Sequence, residues 1–154
     1  MIISQSQEEI SMYTLTSGLV SVTISSMGAT IISIVTPDRE QELANVVLGY
    51  ENIASYETGE TYFGATIGRY ADRIRDGRFE LDGTVYQLDR NDPVGNSVHG
   101  GSVGFDKRNW KVERVVEEPF PSIHFSLFSP DGEMGYPGNF IFGEFIEMDF
   151  EGYI

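Results

Sequence analysis

The chain has 154 residues, 40% of them hydrophobic, with 8 Tyr, 10 Phe and 1 Trp, enough apolar material for one folded domain rather than a disordered segment. Its 24 acidic residues outnumber the 10 Lys and Arg, for a net charge of −14, a surface that repels phosphate backbones and anionic lipid and so argues against nucleic-acid and membrane partners. The absence of cysteine excludes disulfides, thiolate zinc ligation and cysteine nucleophiles.

In chain order, the opening MIISQSQEEISMY lacks the cationic flank and apolar core of a signal peptide, and no uncharged apolar run is long enough to span a bilayer, so a reducing, cytoplasmic location is expected. In LVSVTISS the apolar Val20, Val22 and Ile24 alternate with Ser21, Thr23 and Ser25, the pattern of a half-buried strand. ATIISIV, residues 29–35, is β-branched and apolar throughout and is expected to be a strand covered on both faces. A short helix is expected at 52–57, NIASYE, with Asn52 as its cap. RFELDGTVYQL predicts a hairpin, because Asp82-Gly83 supplies the positive φ angles of a two-residue type I′ turn. WKVERVV and SIHFSLF read as further strands, and the 17 glycines and 6 prolines interrupt the chain too often for long helices. The expected class is an all-β, antiparallel β-sandwich in a single domain over residues 1–154. The apolar, strand-like stretch at 140–150 has nothing after it to cover it, so self-association or a complementary chain is expected there.

Three features could carry chemistry. Arg69, Arg73, Arg75 and Arg78 fall within ten residues, either as an edge-strand ladder of ion pairs or as donor forks facing a ligand rich in oxygen. Were residues 70–74 extended, Asp72 and Arg73 would point to opposite faces, so a bend is required for both to reach one ligand. In NSVHGGSVGFDKRNW, His99 precedes Gly100 and Gly101; the glycines admit close backbone approach, and a neutral imidazole offers one donor and one acceptor. It serves equally well as a loop cap or as a ligand for a hydroxyl. His124 shares a strand face with Ser122 and Ser126 and reads as an ordinary surface histidine. SPDGEMGYPGN, residues 129–139, is a turn-rich loop whose Asp131 and Glu133 lack the spacing of a calcium loop. No phosphate-cradling loop, nucleophile elbow or metalloprotease motif is present.

Taken together and in order, GYENIASYE, YFGATIGRYADRIRDGRFELDGTVYQL, NSVHGGSVGFDKRNW and SPDGEMGYPGN resemble the aldose 1-epimerase (galactose mutarotase) family, from about residue 19 to about 139. The resemblance implies a large antiparallel β-sandwich with a sugar site in an open concave face. It implies that His99 touches sugar hydroxyls, that Arg73 fills the arginine position of the family's GR-x-x-N-R-I pattern, and that Asp72 replaces its asparagine. Asp72, Arg73 and His99 are therefore the expected substrate-binding residues, with a supporting structural role for Arg69. The implied partner is a hexose such as galactose or glucose, and the chemistry calls for no metal and no organic cofactor.

Mutarotation protonates the ring oxygen while removing the anomeric proton, which needs an acid and a base flanking one small ring. In the family these are a histidine in an Asn-His-x-Tyr type motif and a glutamate near the C-terminus. Members are substantially longer than this chain, which resembles their N-terminal half and carries neither group; His124 lies in no such motif. No catalytic residue is expected here, and the chain by itself is expected to be inactive. The alternative is a non-catalytic carbohydrate-binding or regulatory module.

Overall fold

The computed structural model describes residues 9–148. Eleven strands and one short helix occur among them, and every pairing between named strands is antiparallel. β1 (Met12–Ser17), β2 (Val20–Ser25), β3 (Thr30–Pro37) and β4 (Leu43–Asn45) form one sheet in that order. β9 (Lys111–Val116), β10 (Ser122–Ser129) and β11 (Phe140–Glu147) form a second, with β10 in the middle. The alternation read in β2 and β10 sets which side chains turn inward. Leu15, Val22 and Ile24 from the first sheet meet Ile123, Phe125, Leu127 and Ile146 from the second in one apolar cluster. Tyr13 closes edge-on against Phe125, with ring centroids 6.2 Å apart. The expected β-sandwich is what forms.

β3 departs from the expectation of a strand covered on both faces. Only Thr30 is buried, and the rest of the strand is half-buried. The pairing slips between Thr23 and Ile24, where Ser33 and Ile31 are successive partners and Ile32 is extra. That bulge lets Ile31 and Ile34, three residues apart, both pack against the core, so period-2 reading fails across it.

The helix, α1 (Ala54–Thr58), starts two residues later than expected. Asn52 still acts as a cap, its Oδ1 accepting from the Ser55 N–H at 3.0 Å and the Ser55 hydroxyl at 2.9 Å. β6 (Arg78–Leu81) and β7 (Thr84–Gln87) form the expected hairpin, with φ of 50° at Asp82 and 76° at Gly83. Two very short strands, β5 (Arg73–Ile74) and β8 (Ser97–Val98), pair with each other and position the candidate site. Of the stretch 140–150, β11 accounts for 140–147, and residues 149 and 150 lie outside those described. Among the described residues no helix is long and apolar enough to cross a membrane.

Candidate functional site

The β5–β8 ladder pairs Arg73 with Val98 and Ile74 with Ser97, so Asp72 and His99 follow as neighbours at its open end. Both leave the extended conformation, with φ of 67° and 53°. Asp and His are among the residues that tolerate this left-handed region best. The His99 N–H donates to the Asp72 carbonyl at 3.0 Å, and the Asp72 N–H donates to His99 Nδ1 at 3.0 Å. With Nδ1 occupied as an acceptor, a neutral ring carries its hydrogen on Nε2, which is left as a donor. The turn at Asp72 supplies the bend the sequence required: Arg73 Nη1 donates to Asp72 Oδ1 at 3.0 Å, both side chains largely exposed. At that exposure the ion pair adds about 0–1 kcal/mol, so it orients the fork without locking it. Asp72, Arg73 and His99 are thus brought together, and none is sunk in the apolar interior.

Two neighbours carry no local sequence signal. Tyr62 meets the His99 ring edge-on with centroids 4.5 Å apart, a contact between segments far apart in the chain. Burial, then the charges of Asp106 and Glu60, push the Tyr62 hydroxyl above its ordinary pKa, so it stays protonated. Asp92 Oδ2 lies 4.0 Å from Arg73 Nε. Desolvation works against its charge, but backbone donors at Asn96, Val94 and Gly95 and the Asn96 amide outweigh it and hold the carboxyl below its usual range. Arg73, Tyr62, Asp92, Ser102, Asp106 and Lys107, with the apolar Val98 and Val103, line an open hollow of 720 Å³ beside these groups.

Gly100 and Gly101 follow His99 at φ of 95° and 107°. A Cβ on Gly100 would sit 1.8 Å from the Gly68 carbonyl oxygen, so a side chain there collides with backbone. The chain then turns at Phe105–Lys107 and reaches Trp110, 1% exposed, whose indole N–H donates to the Phe105 carbonyl at 3.0 Å. The Trp110 N–H donates to the Ser26 carbonyl, and Met27 bridges Asn109. The tryptophan therefore fastens the His99 loop to the β2–β3 corner.

The four clustered arginines do not form a ladder. Among the described residues only Arg73 of the four lies within 4.0 Å of a carboxylate. Arg69 instead donates through Nε to Ser129 Oγ, through Nη1 to the Pro137 carbonyl, and through Nη2 to the Ser129 and Pro130 carbonyls. It is a clamp on the loop 129–137, matching the expected supporting role. That loop is a turn, as expected: Asp131 Oδ1 accepts from the Gly138 N–H, while Glu133 takes Arg108 and the Ser129 hydroxyl. His124 lies on the outer face of β10 against Phe145, as an ordinary strand histidine does.

Solved structures place this architecture among galactose mutarotase-like β-sandwiches. An aldose epimerase homologue from C. elegans superposes with a TM-score of 0.85 at 26% identity, over 92% of this chain and 42% of that one. A galactose 1-epimerase from Lactobacillus acidophilus gives a TM-score of 0.81 at 27% identity, over 97% and 43%. In sequence, the aldose 1-epimerase family model matches residues 11–142, and the chain belongs to that family. It is 40% identical to a probable aldose 1-epimerase of Arthroderma benhamiae, over 88% of this chain and 31% of that protein. It is 44% identical to the galactose mutarotase of Homo sapiens, over 82% and 35%, so the chain spans about a third of the length of these relatives.

Proposed function

We propose that this chain forms the hexose-gripping wall of a mutarotase-type site and does not itself interconvert anomers. The observation that carries the reading is the shared grip at the end of β5–β8, where donors at Arg73 and His99 Nε2 flank an acceptor at Asp72. Adjacent sugar hydroxyls each present a donor and an acceptor, and this set answers both. Anomer interconversion breaks the bond between C1 and the ring oxygen as the anomeric proton leaves and the ring oxygen gains one. Rotation about C1–C2 and closure then yield the other anomer. The carboxylates near the grip are already engaged, Asp106 with Lys107 and Asp92 with Asn96, which favours binding over proton transfer. The acid and base are assigned to protein outside this chain.

Calorimetry with D-galactose and D-glucose is expected to show saturable, millimolar binding that weakens about tenfold in His99→Ala, a loss of ~1.4 kcal/mol. Polarimetry on freshly dissolved α-D-galactose should give the buffer rate with the 154-residue chain present. Acceleration well above buffer would place the catalytic pair within the chain and overturn the proposal.

The partner expected at the apolar last strand is a second copy. Among the described residues no strand pairs with the far edge of β11, and Ile141 (74% exposed) and Phe145 (60% exposed) stand on its outer face. Antiparallel pairing of two β11 strands about Gly143 sets Ile141 opposite the copy's Phe145 and Phe142 opposite its Glu144. Centring on Glu144 would oppose like charges. The net charge of −14 resists association, so dimer formation should strengthen as salt rises and shortens the screening length. Sedimentation velocity is expected to show a concentration-dependent dimer that Ile141→Glu abolishes; a wild-type chain that stays monomeric at all salt concentrations removes this reading.

A further inference from the structure

His99 is half-buried, and its ring makes one hydrogen bond among the described residues, accepting at Nδ1 from the Asp72 N–H at 3.0 Å. A bond at one ring atom does not by itself hold an imidazole. The ring can turn over about its Cβ–Cγ bond, which gives up that bond and lets the proton sit on either nitrogen. Nε2 is a fixed donor only if something else holds the plane of the ring.

Tyr62 is placed to do this. Its ring meets the His99 ring with centroids 4.5 Å apart and planes 65° from parallel, the edge-to-face arrangement that aromatic pairs favour. Among the described residues the Tyr62 hydroxyl makes no hydrogen bond, so the contact with His99 is made by the ring alone. Tyr62 is itself fastened on both sides. Before it, Lys107 of the loop that follows His99 donates through Nζ to the carbonyls of Tyr56 and Gly59, each at 2.8 Å, and pairs with Asp106 at 3.3 Å. Those carbonyls lie in the last turn of α1 and just after it, where a cation is favoured. Beyond it, the Gly64 carbonyl accepts from the Ile31 N–H of β3 at 2.9 Å. Lys107 thus ties the segment leading into Tyr62 to the loop that begins at His99, and the two rings meet across that tie.

We infer that Tyr62 is a positioning residue of the hexose grip: its ring holds the His99 imidazole in the orientation that leaves Nε2 as the donor, and it acts on the sugar only through His99. The inference rests on the hexose-binding reading above and adds to it a residue that touches no substrate. Tyr62 also lines the hollow beside Arg73, so direct contact with the ligand is the competing role, and the test separates the two.

The test uses the 15N-labelled chain at about pH 8, where an ordinary imidazole is neutral, reading the histidine ring nitrogens directly and D-galactose binding by amide shifts. In the wild type His99 should be a single tautomer protonated on Nε2, with His124 on the outer face of β10 as the reference signal. Tyr62→Ala is expected to give a mixture of both tautomers at His99, leave His124 unchanged, and weaken galactose binding about fivefold, within the range of an aromatic pair. Tyr62→Phe should keep the tautomer and bind within about twofold of the wild type, since the ring alone makes the contact. Tyr62→Leu, which keeps apolar bulk, should show the same mixing as the alanine variant and serves if that variant does not fold. In a His99→Ala background, Tyr62→Ala should cost nothing more. If the two losses add instead, Tyr62 touches the sugar directly and the inference is wrong. A single tautomer retained without the Tyr62 ring, or a mixture already present in the wild type, also overturns it. In each of these cases galactose binding that weakens in His99→Ala leaves the hexose reading standing. If the wild type does not bind galactose, the hexose reading falls and Tyr62 positions no grip.

Discussion

Gly100→Ala is expected to destabilise the chain by about 4 kcal/mol or more, at the severe end of single substitutions and a large share of a typical domain's stability. Two effects combine. An L side chain at φ of 95° is strained by about 1–2 kcal/mol. The larger effect is the collision, because a Cβ placed 1.8 Å from the Gly68 carbonyl oxygen and 2.6 Å from its carbon meets backbone that has no rotamer to yield. Gly68 is itself pressed against the buried Phe105, so it cannot retreat without disturbing the ring that meets Trp110 edge-on at 5.9 Å. Gly18→Ala is the control: its φ is 59° and nothing lies within 4 Å of a Cβ there, so strain alone applies. Chemical denaturation of both variants should separate them by about 2 kcal/mol or more. Equal losses would show that close approach is not what requires glycine after His99. Because Asp72 and His99 exchange hydrogen bonds just ahead of this contact, hexose binding should fall in the folded fraction of Gly100→Ala as well.

What could be read in the sequence was whatever depends on neighbours in the chain. The Asp82-Gly83 hairpin, the inward rows of β2 and β10, and the turn character of 129–139 follow from residue type and short spacing. Each was recovered, since turn angles and pleat alternation act over two to five residues. β3 failed for a definite reason: its bulge at Ile32 is imposed by pairing with β2, and a uniformly β-branched string has no alternation from which to detect a slip. At the site, His99, Arg73 and Asp72 were legible as types, but their meeting depends on a left-handed Asp72. Periodicity does not encode that, although Asp at the position permits it. Tyr62 against His99 and Asp92 beside Arg73 are products of tertiary closure. The arginine cluster shows the same limit. Four guanidiniums in ten residues say that donors are present, while the acceptors that decide the role of Arg69 lie about sixty residues further on.

Those acceptors make Arg69 the second position of large effect, and Arg69→Ala is expected to destabilise the chain by about 3 kcal/mol, with hydrogen bonds to a charged donor each contributing about 1.5–3 kcal/mol and not adding in full. The substitution takes a charged donor from each of the Ser129, Pro130 and Pro137 carbonyls and from the hydroxyl of the fully buried Ser129, leaving that hydroxyl only its bond to Glu133 and the Pro130 carbonyl only the Glu133 N–H. Burial already pulls the Arg69 pKa below its ordinary value, so the group is held by this fork of bonds against the cost of desolvation. Arg69→Lys should recover only a small part of the loss, because a single ammonium cannot span acceptors arranged for a planar fork. With carbonyls and a hydroxyl as partners, the destabilisation should be nearly the same at low and high salt, unlike that of a surface ion pair. The loop 129–137 should exchange its amide hydrogens faster in Arg69→Ala, and the effect should reach Tyr136 and the first residues of β11, which the guanidinium covers. Arg75→Ala, an exposed member of the same cluster, should change stability by no more than about 0.5 kcal/mol. If the two alanine variants unfold at the same denaturant concentration, Arg69 is not the clamp that holds the loop.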